Sequence, residues 1–169
     1  MAENDVQPGP SGEVSEEVDT AIVDSVARYS CAYWASSRKI RLANNQIFSL
    51  ADRQYLIEPM HIDAPVVCAI KATGGGFSEC MGILPSIHGM LHNRYQQGVG
   101  YYFPTDTDMQ DFVKSRFNPL IQMNPEAIGQ YVRSGRGGTD TAGLKRIGNS
   151  NLYLRGSTLN PGAEGGDAK

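Results

Sequence analysis

The run Pro-Val-Val-Cys-Ala-Ile at positions 65–70, followed by Lys-Ala-Thr-Gly-Gly-Gly-Phe-Ser at 71–78, constrains this chain more than any other stretch. A short uncharged run rich in β-branched residues, bounded by proline and glycine, is the pattern of a fully buried strand. Three glycines end it. Met81, Leu84, Ile87, Met90 and Leu91 then recur at helical spacing. Pro85 interrupts that stripe and should kink or split the helix. Strand, glycine turn and helix, in that order, can present backbone N–H groups to a phosphate.

The flanking sequence extends this into an α/β fold. VGYYF at 99–103 reads as a second strand, ended by Pro104 and Thr105, with a helix following over 106–117. Strand, helix, strand, helix implies a parallel sheet with flanking helices. LKRI and NLYLRG, joined by Gly148, Asn149 and Ser150, form a hairpin. Upstream, Val18, Ile22, Val23, Val26, Ala27 and Cys31 predict a helix over 17–36, and a second fits 51–60 with Ser49 as a candidate N-cap. Residues 1–16, rich in Pro, Gly and acids, form a disordered acidic arm, and 158–169 a disordered tail. The glycine-rich stretch 133–143 is a flexible loop. That leaves one domain, 17–157, in a chain of 169 residues.

Composition excludes several classes. No run approaches the ~18 apolar residues that span a bilayer, and no basic-then-apolar leader opens the chain, so no membrane role is expected. Cys31, Cys68 and Cys80 are odd in number, far apart and without a CxxC, which suits free thiols in a reducing, cytoplasmic setting better than disulfides or zinc. The first 20 residues hold six acids and no Lys or Arg, so the remainder carries +3. Such a body tolerates a polyanion without demanding one, and an ordinary mixed surface is the favoured reading.

A phosphate-binding loop needs a lysine for the β and γ phosphates and a hydroxyl for magnesium. The usual spelling places Lys directly before Ser or Thr. Phe77 stands there instead, Ser78 supplies the hydroxyl, and Lys71 lies seven residues before Ser78. A flexible ammonium at the mouth of the loop can reach over it. The competing reading is a glycine-rich turn beside a solvated lysine. Other candidates are thinner. His88 and His92 are four apart, but Gly89 stands where a zinc protease carries Glu, so a structural or surface role is expected. His61 has no evident partner. Asp106, Asp108 and Asp111 follow a strand end, where they could be catalytic acids or first-turn helix charges, the latter being favoured.

Lys71, four residues, Gly76, Phe77 and Ser78 match K-x-x-x-x-G-x-[ST], and over residues 40–157 the chain resembles the front of the ATPase domain of phage terminase large subunits of the lambda-like class. "FSLADRQYLIEP" resembles the family's adenine-associated segment, "GYYFPTDTDMQDFVKSRFNPLI" its strand and helix after the loop, and "NLYLRGS" the strand ahead of the acidic Walker B strand. The resemblance implies a partial P-loop NTPase fold binding ATP with Mg²⁺. It assigns nucleotide contact to Lys71, Thr73, Gly74, Gly75, Gly76, Phe77, Ser78, Gln54 and Tyr55, and the metal contact to the Ser78 hydroxyl. Gly74 occupies a place where many relatives carry Arg or Gln. Double-stranded DNA, a terminase small subunit and the capsid portal are the implied partners, a homo-oligomer the implied full-length state, and the host cytoplasm the implied location. Arg133 and Arg136 are candidate DNA contacts, more simply read as a solvated loop.

The family continues with an apolar strand ending in Asp-Glu and then a nuclease domain, whereas this sequence continues from Ser157 with TLNPGAEGGDAK. The expectation is therefore a truncated ATP-binding part of a DNA translocase, binding nucleotide weakly at best, not hydrolytically competent alone, and prone to self-association through an exposed sheet edge. The alternatives are another ATP-dependent nucleic-acid motor of helicase type, a degenerate interaction module without enzymatic activity, and a small-molecule kinase.

Overall fold

The computed structural model describes residues 13–71, 73–133 and 141–157. Their elements run α1 (Glu13–Tyr29), α2 (Cys31–Ser37), α3 (Leu84–Leu91), β1 (Val99–Phe103), α4 (Asp106–Phe112), α5 (Asn118–Met123), β2 (Leu144–Ile147) and β3 (Ser150–Gly156). The arm expected over 1–16 overlaps α1, which already begins at Glu13. The expected tail, and residues 134–140 of the expected flexible loop, lie outside the described residues.

The fold is mixed α/β. β3 is central, parallel to β1 with Val99 opposite Leu152, and antiparallel to β2 with Ile147 opposite Ser150. The sheet is therefore mixed, with β1 and the hairpin where the sequence places them. Alternation decides its faces. Val99, Tyr101, Phe103, Leu152, Leu154 and Ile147 point into the core, while Gly100, Tyr102, Tyr153 and Arg155 point outward and are largely exposed. Helices thus cover one face among the described residues, rather than flanking both.

Two prolines shape the helices by the same means. Pro85 is the second residue of α3 and Pro119 the second of α5. Each helix is preceded by a π-helical turn, Ser78–Ile83 and Val113–Phe117. A proline has no N–H for the carbonyl four residues back, and its ring collides with it. The wider turn relieves both problems: the N–H before each proline reaches five residues back, Leu84 to Glu79 and Asn118 to Val113. The helix over 106–117 is thus present with a π end. Thr105 caps it, accepting from the Asp108 N–H at 3.0 Å and donating to the Asp108 carboxylate at 2.8 Å.

Two expectations are corrected upstream. The helix over 17–36 is broken at Ser30, whose extended backbone and side-chain bond from the Tyr33 N–H make it the N-cap of α2. The stretch 51–60 is not an α-helix but a 3₁₀ turn, Gln54–Leu56, within successive turns. Pro59 lacks the N–H that a regular helix needs there. Ser49 accepts from the Ala51 N–H, closing a local turn rather than capping a helix. Leu56 and Met60 are nevertheless buried.

Buried side chains tie the upstream segments to the sheet layer. The Asn124 carbonyl oxygen accepts from the Arg41 N–H at 2.8 Å, and its amide donates to the Arg41 and Leu120 carbonyls, both at 2.7 Å. Asn124→Leu leaves both Arg41 backbone groups unpaired and should cost roughly 2–4 kcal/mol, read as a lower urea midpoint with an unchanged slope. His88 is buried against Trp34 and donates from Nε2 to the Ala27 carbonyl at 2.8 Å. Burial pushes its pKa below the ordinary 6.5, the Ala27 bond opposing. With the folded pKa lowered, the unfolded chain takes up the proton first as pH falls through that value, so this contribution is present at neutral pH and lost in acid. The urea midpoint should fall between about pH 7 and about pH 5.5, and fall less in His88→Gln.

Candidate nucleotide-binding site

Gly74 and Gly76 have φ of 81° and 80°, which side chains rarely adopt. Gly76 is also crowded: an added Cβ would lie 3.2 Å from Leu56 Cδ1 and 3.3 Å from Arg53 Nη1. The helix begins directly after it, with the Cys80 N–H bonded to the Gly76 carbonyl at 3.0 Å. The opening N–H groups of such a helix have no acceptor within it, and they carry the positive end of its dipole. The glycine loop lies at that end.

The 3₁₀ turn packs on the loop. The Tyr55 hydroxyl donates to the Gly75 carbonyl at 3.0 Å, and its ring lies 6.1 Å from that of Phe77. Arg53, one residue before Gln54, brings a guanidinium beside Gly76. Sequence reasoning passed over Arg53, although it is the one basic residue in "FSLADRQYLIEP". Gln54 is exposed, and its side chain has no hydrogen bond among the described residues. Lys71 and Thr73 are exposed and Ser78 is half-buried at the helix start. The loop, Tyr55 and Arg53 are thus brought together, while Lys71 stands in solvent at the loop's entrance.

The strand expected ahead of the loop is absent. Residues 61–71 are all exposed and 66–70 form no ladder, with Val66 at 85% and Ile70 at 102% of full exposure. β-propensity measures fit to a pleated, half-buried surface, and no described strand lies beside this run to provide one.

Behind the loop, Arg116 of the second π turn pairs with Glu79 at 2.5 Å, holding the loop helix to the α4–α5 unit. Burial pushes the Cys80 thiol up to about 11, with Glu79 adding to the shift and Arg53 opposing it. Burial, then Cys80, pushes the Cys31 thiol up to about 12. Both are protonated at neutral pH and are poor nucleophiles. His61 has partners after all: Nδ1 donates to the Ile57 carbonyl at 2.8 Å, which leaves Nε2 to accept from Ser30 Oγ at 3.0 Å. Asp106 and Asp108 lie in the first turn of α4, where they oppose its dipole. Arg133 reaches Asn149 at 3.5 Å, and Arg136 lies outside the described residues. Among the described residues no group of three metal-ligating side chains forms, and no helix is long and apolar enough to cross a membrane.

No protein-family profile, curated protein or solved structure matches the chain.

Cys68 is exposed while Cys31 and Cys80 are buried. A maleimide probe should label the native chain rapidly at Cys68 alone, with Cys31 and Cys80 following only on denaturation, as read by peptide mass spectrometry. Slow labelling at Cys68 would place the 66–70 run in a protected strand.

Proposed function

We propose that this chain is the ATP-binding, N-terminal part of a DNA-packaging motor of the terminase large-subunit kind. One observation carries the reading. The 53–56 turn and the 74–78 loop, which the resemblance joins as the adenine-side and phosphate-side segments, touch through Tyr55 and Gly75 at 3.0 Å.

The residues fit a nucleotide's phosphates. Gly74 and Gly76 hold the backbone open, the helix start turns N–H groups toward the anion, and Arg53 and Lys71 supply mobile positive charge. Arg53 stands near the loop whose own interior, at Gly74, has no cation. Ser78 would offer its hydroxyl to Mg²⁺, whose chemistry is to neutralise and orient the phosphates. Tyr55 and Gln54 would cover the base. Hydrolysis further needs a carboxylate to hold the metal and a group to orient water. Neither is supplied by the residues of this loop, so binding is the activity assigned to them. Double-stranded DNA, a small subunit and a portal would be partners of the whole motor.

A second reading, a nucleotide-type fold serving only as an interaction module, is favoured by the exposure of Val66 and Ile70 just ahead of the loop.

Thermal unfolding with and without Mg-ATP separates the two. A Kd near 1 mM stabilises by about 1.4 kcal/mol at about 10 mM ligand. The parent chain should gain this and Lys71→Ala should not. A folded parent that does not respond to ATP sinks the nucleotide reading and leaves the interaction module.

A further inference from the structure

A second concave site lies away from the glycine loop. α1, the turn after α2, the end of α3 and the segment after α5 enclose a cleft of about 470 Å³, within the range of small-molecule sites. Arg28, Arg38, Lys39 and Arg41 line it, against Asp24 and Glu126. Asp24 is already engaged by Arg38 at 2.9 Å. Arg41 is steadied by the Asn45 carbonyl and side-chain oxygens at 3.3 Å, and its backbone is clamped by Asn124. Arg28 and Lys39 have neither an ion pair nor a hydrogen bond from their side chains among the described residues. Three cations beyond the Asp24 pair thus face one cleft with a single remaining carboxylate.

Lys39 carries an independent sign. α2 ends in a Schellman motif, with the Ile40 N–H on the Ala35 carbonyl at 2.9 Å and the Lys39 N–H on the Ser36 carbonyl at 3.1 Å. That motif puts Lys39 at φ 50°, a position where glycine is the usual occupant. A lysine there costs stability, and Lys39 is among the residues that line the cleft.

We propose that this cleft binds a phosphorylated small molecule through Lys39, Arg28 and Arg41. A monoanionic carboxylate would use one of these cations, whereas a phosphomonoester or diphosphate carries the charge to engage all three. Their arrangement around one cleft of ligand size favours such a molecule over a polynucleotide backbone.

Trp34, the single tryptophan of the chain, lines the cleft and reports on it. Inorganic pyrophosphate is titrated at constant ionic strength while Trp34 emission and calorimetric heat are followed. The wild type, Lys71→Ala, Arg28→Gln and Lys39→Gly are compared. A saturable change in Trp34 emission is expected, weakened about tenfold or more in Arg28→Gln and Lys39→Gly. Lys39→Gly should melt no lower than the wild type, which separates lost binding from lost folding. Neither signal up to about 10 mM pyrophosphate overturns the proposal, as does equal binding by Lys39→Gly. Loss in Lys71→Ala would assign the anion to the glycine loop instead. Saturation by a DNA oligonucleotide but not by pyrophosphate would make the cleft a nucleic-acid surface and also overturn it.

Discussion

Three parts of the chain converge on the Tyr101 side chain. It projects inward from β1, its ring meets Phe117 edge-on with centroids 5.6 Å apart, and Phe103 and Phe112 complete the cluster. Its hydroxyl lies 3.1 Å from Ser86 Oγ on α3. A Cβ on Gly82 would sit 2.9 Å from that hydroxyl, so glycine lets the phenol approach the π turn this closely. Burial pushes the phenol up to about 12, against the Ser86 bond. It therefore stays a neutral, hydrogen-bonded group at any ordinary pH. Sheet, loop helix and the α4–α5 unit share this one contact, so the glycine loop is positioned from behind by the core.

The same logic explains why the loop helix is wide where it starts. A regular turn over 78–83 would confront Pro85 with a carbonyl it cannot satisfy. The π turn removes the conflict and also sets where Glu79 lies relative to Arg116 on the other π turn. An ion pair joining two π turns, each preceding a proline, couples the orientation of the loop helix to that of α5. Asn124, just past α5, binds Arg41 at the rim of the basic cleft.

Much of this was legible in the residues. The VGYYF strand, the helix that follows it and the LKRI–NLYLRG hairpin are local patterns, and these local patterns survive into the structure. Pro85 announced an irregular helix, and the π turn is the form it takes. The errors are of another kind. The 51–60 window had apolar spacing but also Pro59, and the proline won. The Ser30 break depends on one capping serine within an otherwise helical stripe. Arg53 and the basic cleft could not be read from spacing, because their partners lie far off in sequence: Gly76 for Arg53, Asn124 for the Arg41 turn. Lys39 gave no sequence signal either, since nothing in its neighbours marks a left-handed lysine.

The 66–70 run is the most informative departure, because its composition and its environment disagree. Burying a Val or Ile side chain is worth about 1.5–3 kcal/mol, and Val66 and Ile70 realise little of it. Their residue types are suited to a ladder, yet β1 takes its one parallel partner from β3, and none of the described strands pairs with 66–70. Lys71 follows Ile70 directly. That run and Lys71 are both exposed, whereas the Tyr55 hydroxyl is bonded to the Gly75 carbonyl and the Arg53 guanidinium lies beside Gly76. Under the proposed nucleotide reading, a phosphate would meet the glycine turn with a guanidinium beside it, but the Lys71 ammonium would still have to be ordered. That cost falls on affinity, and any contact that fixes 66–70 in a strand lowers it.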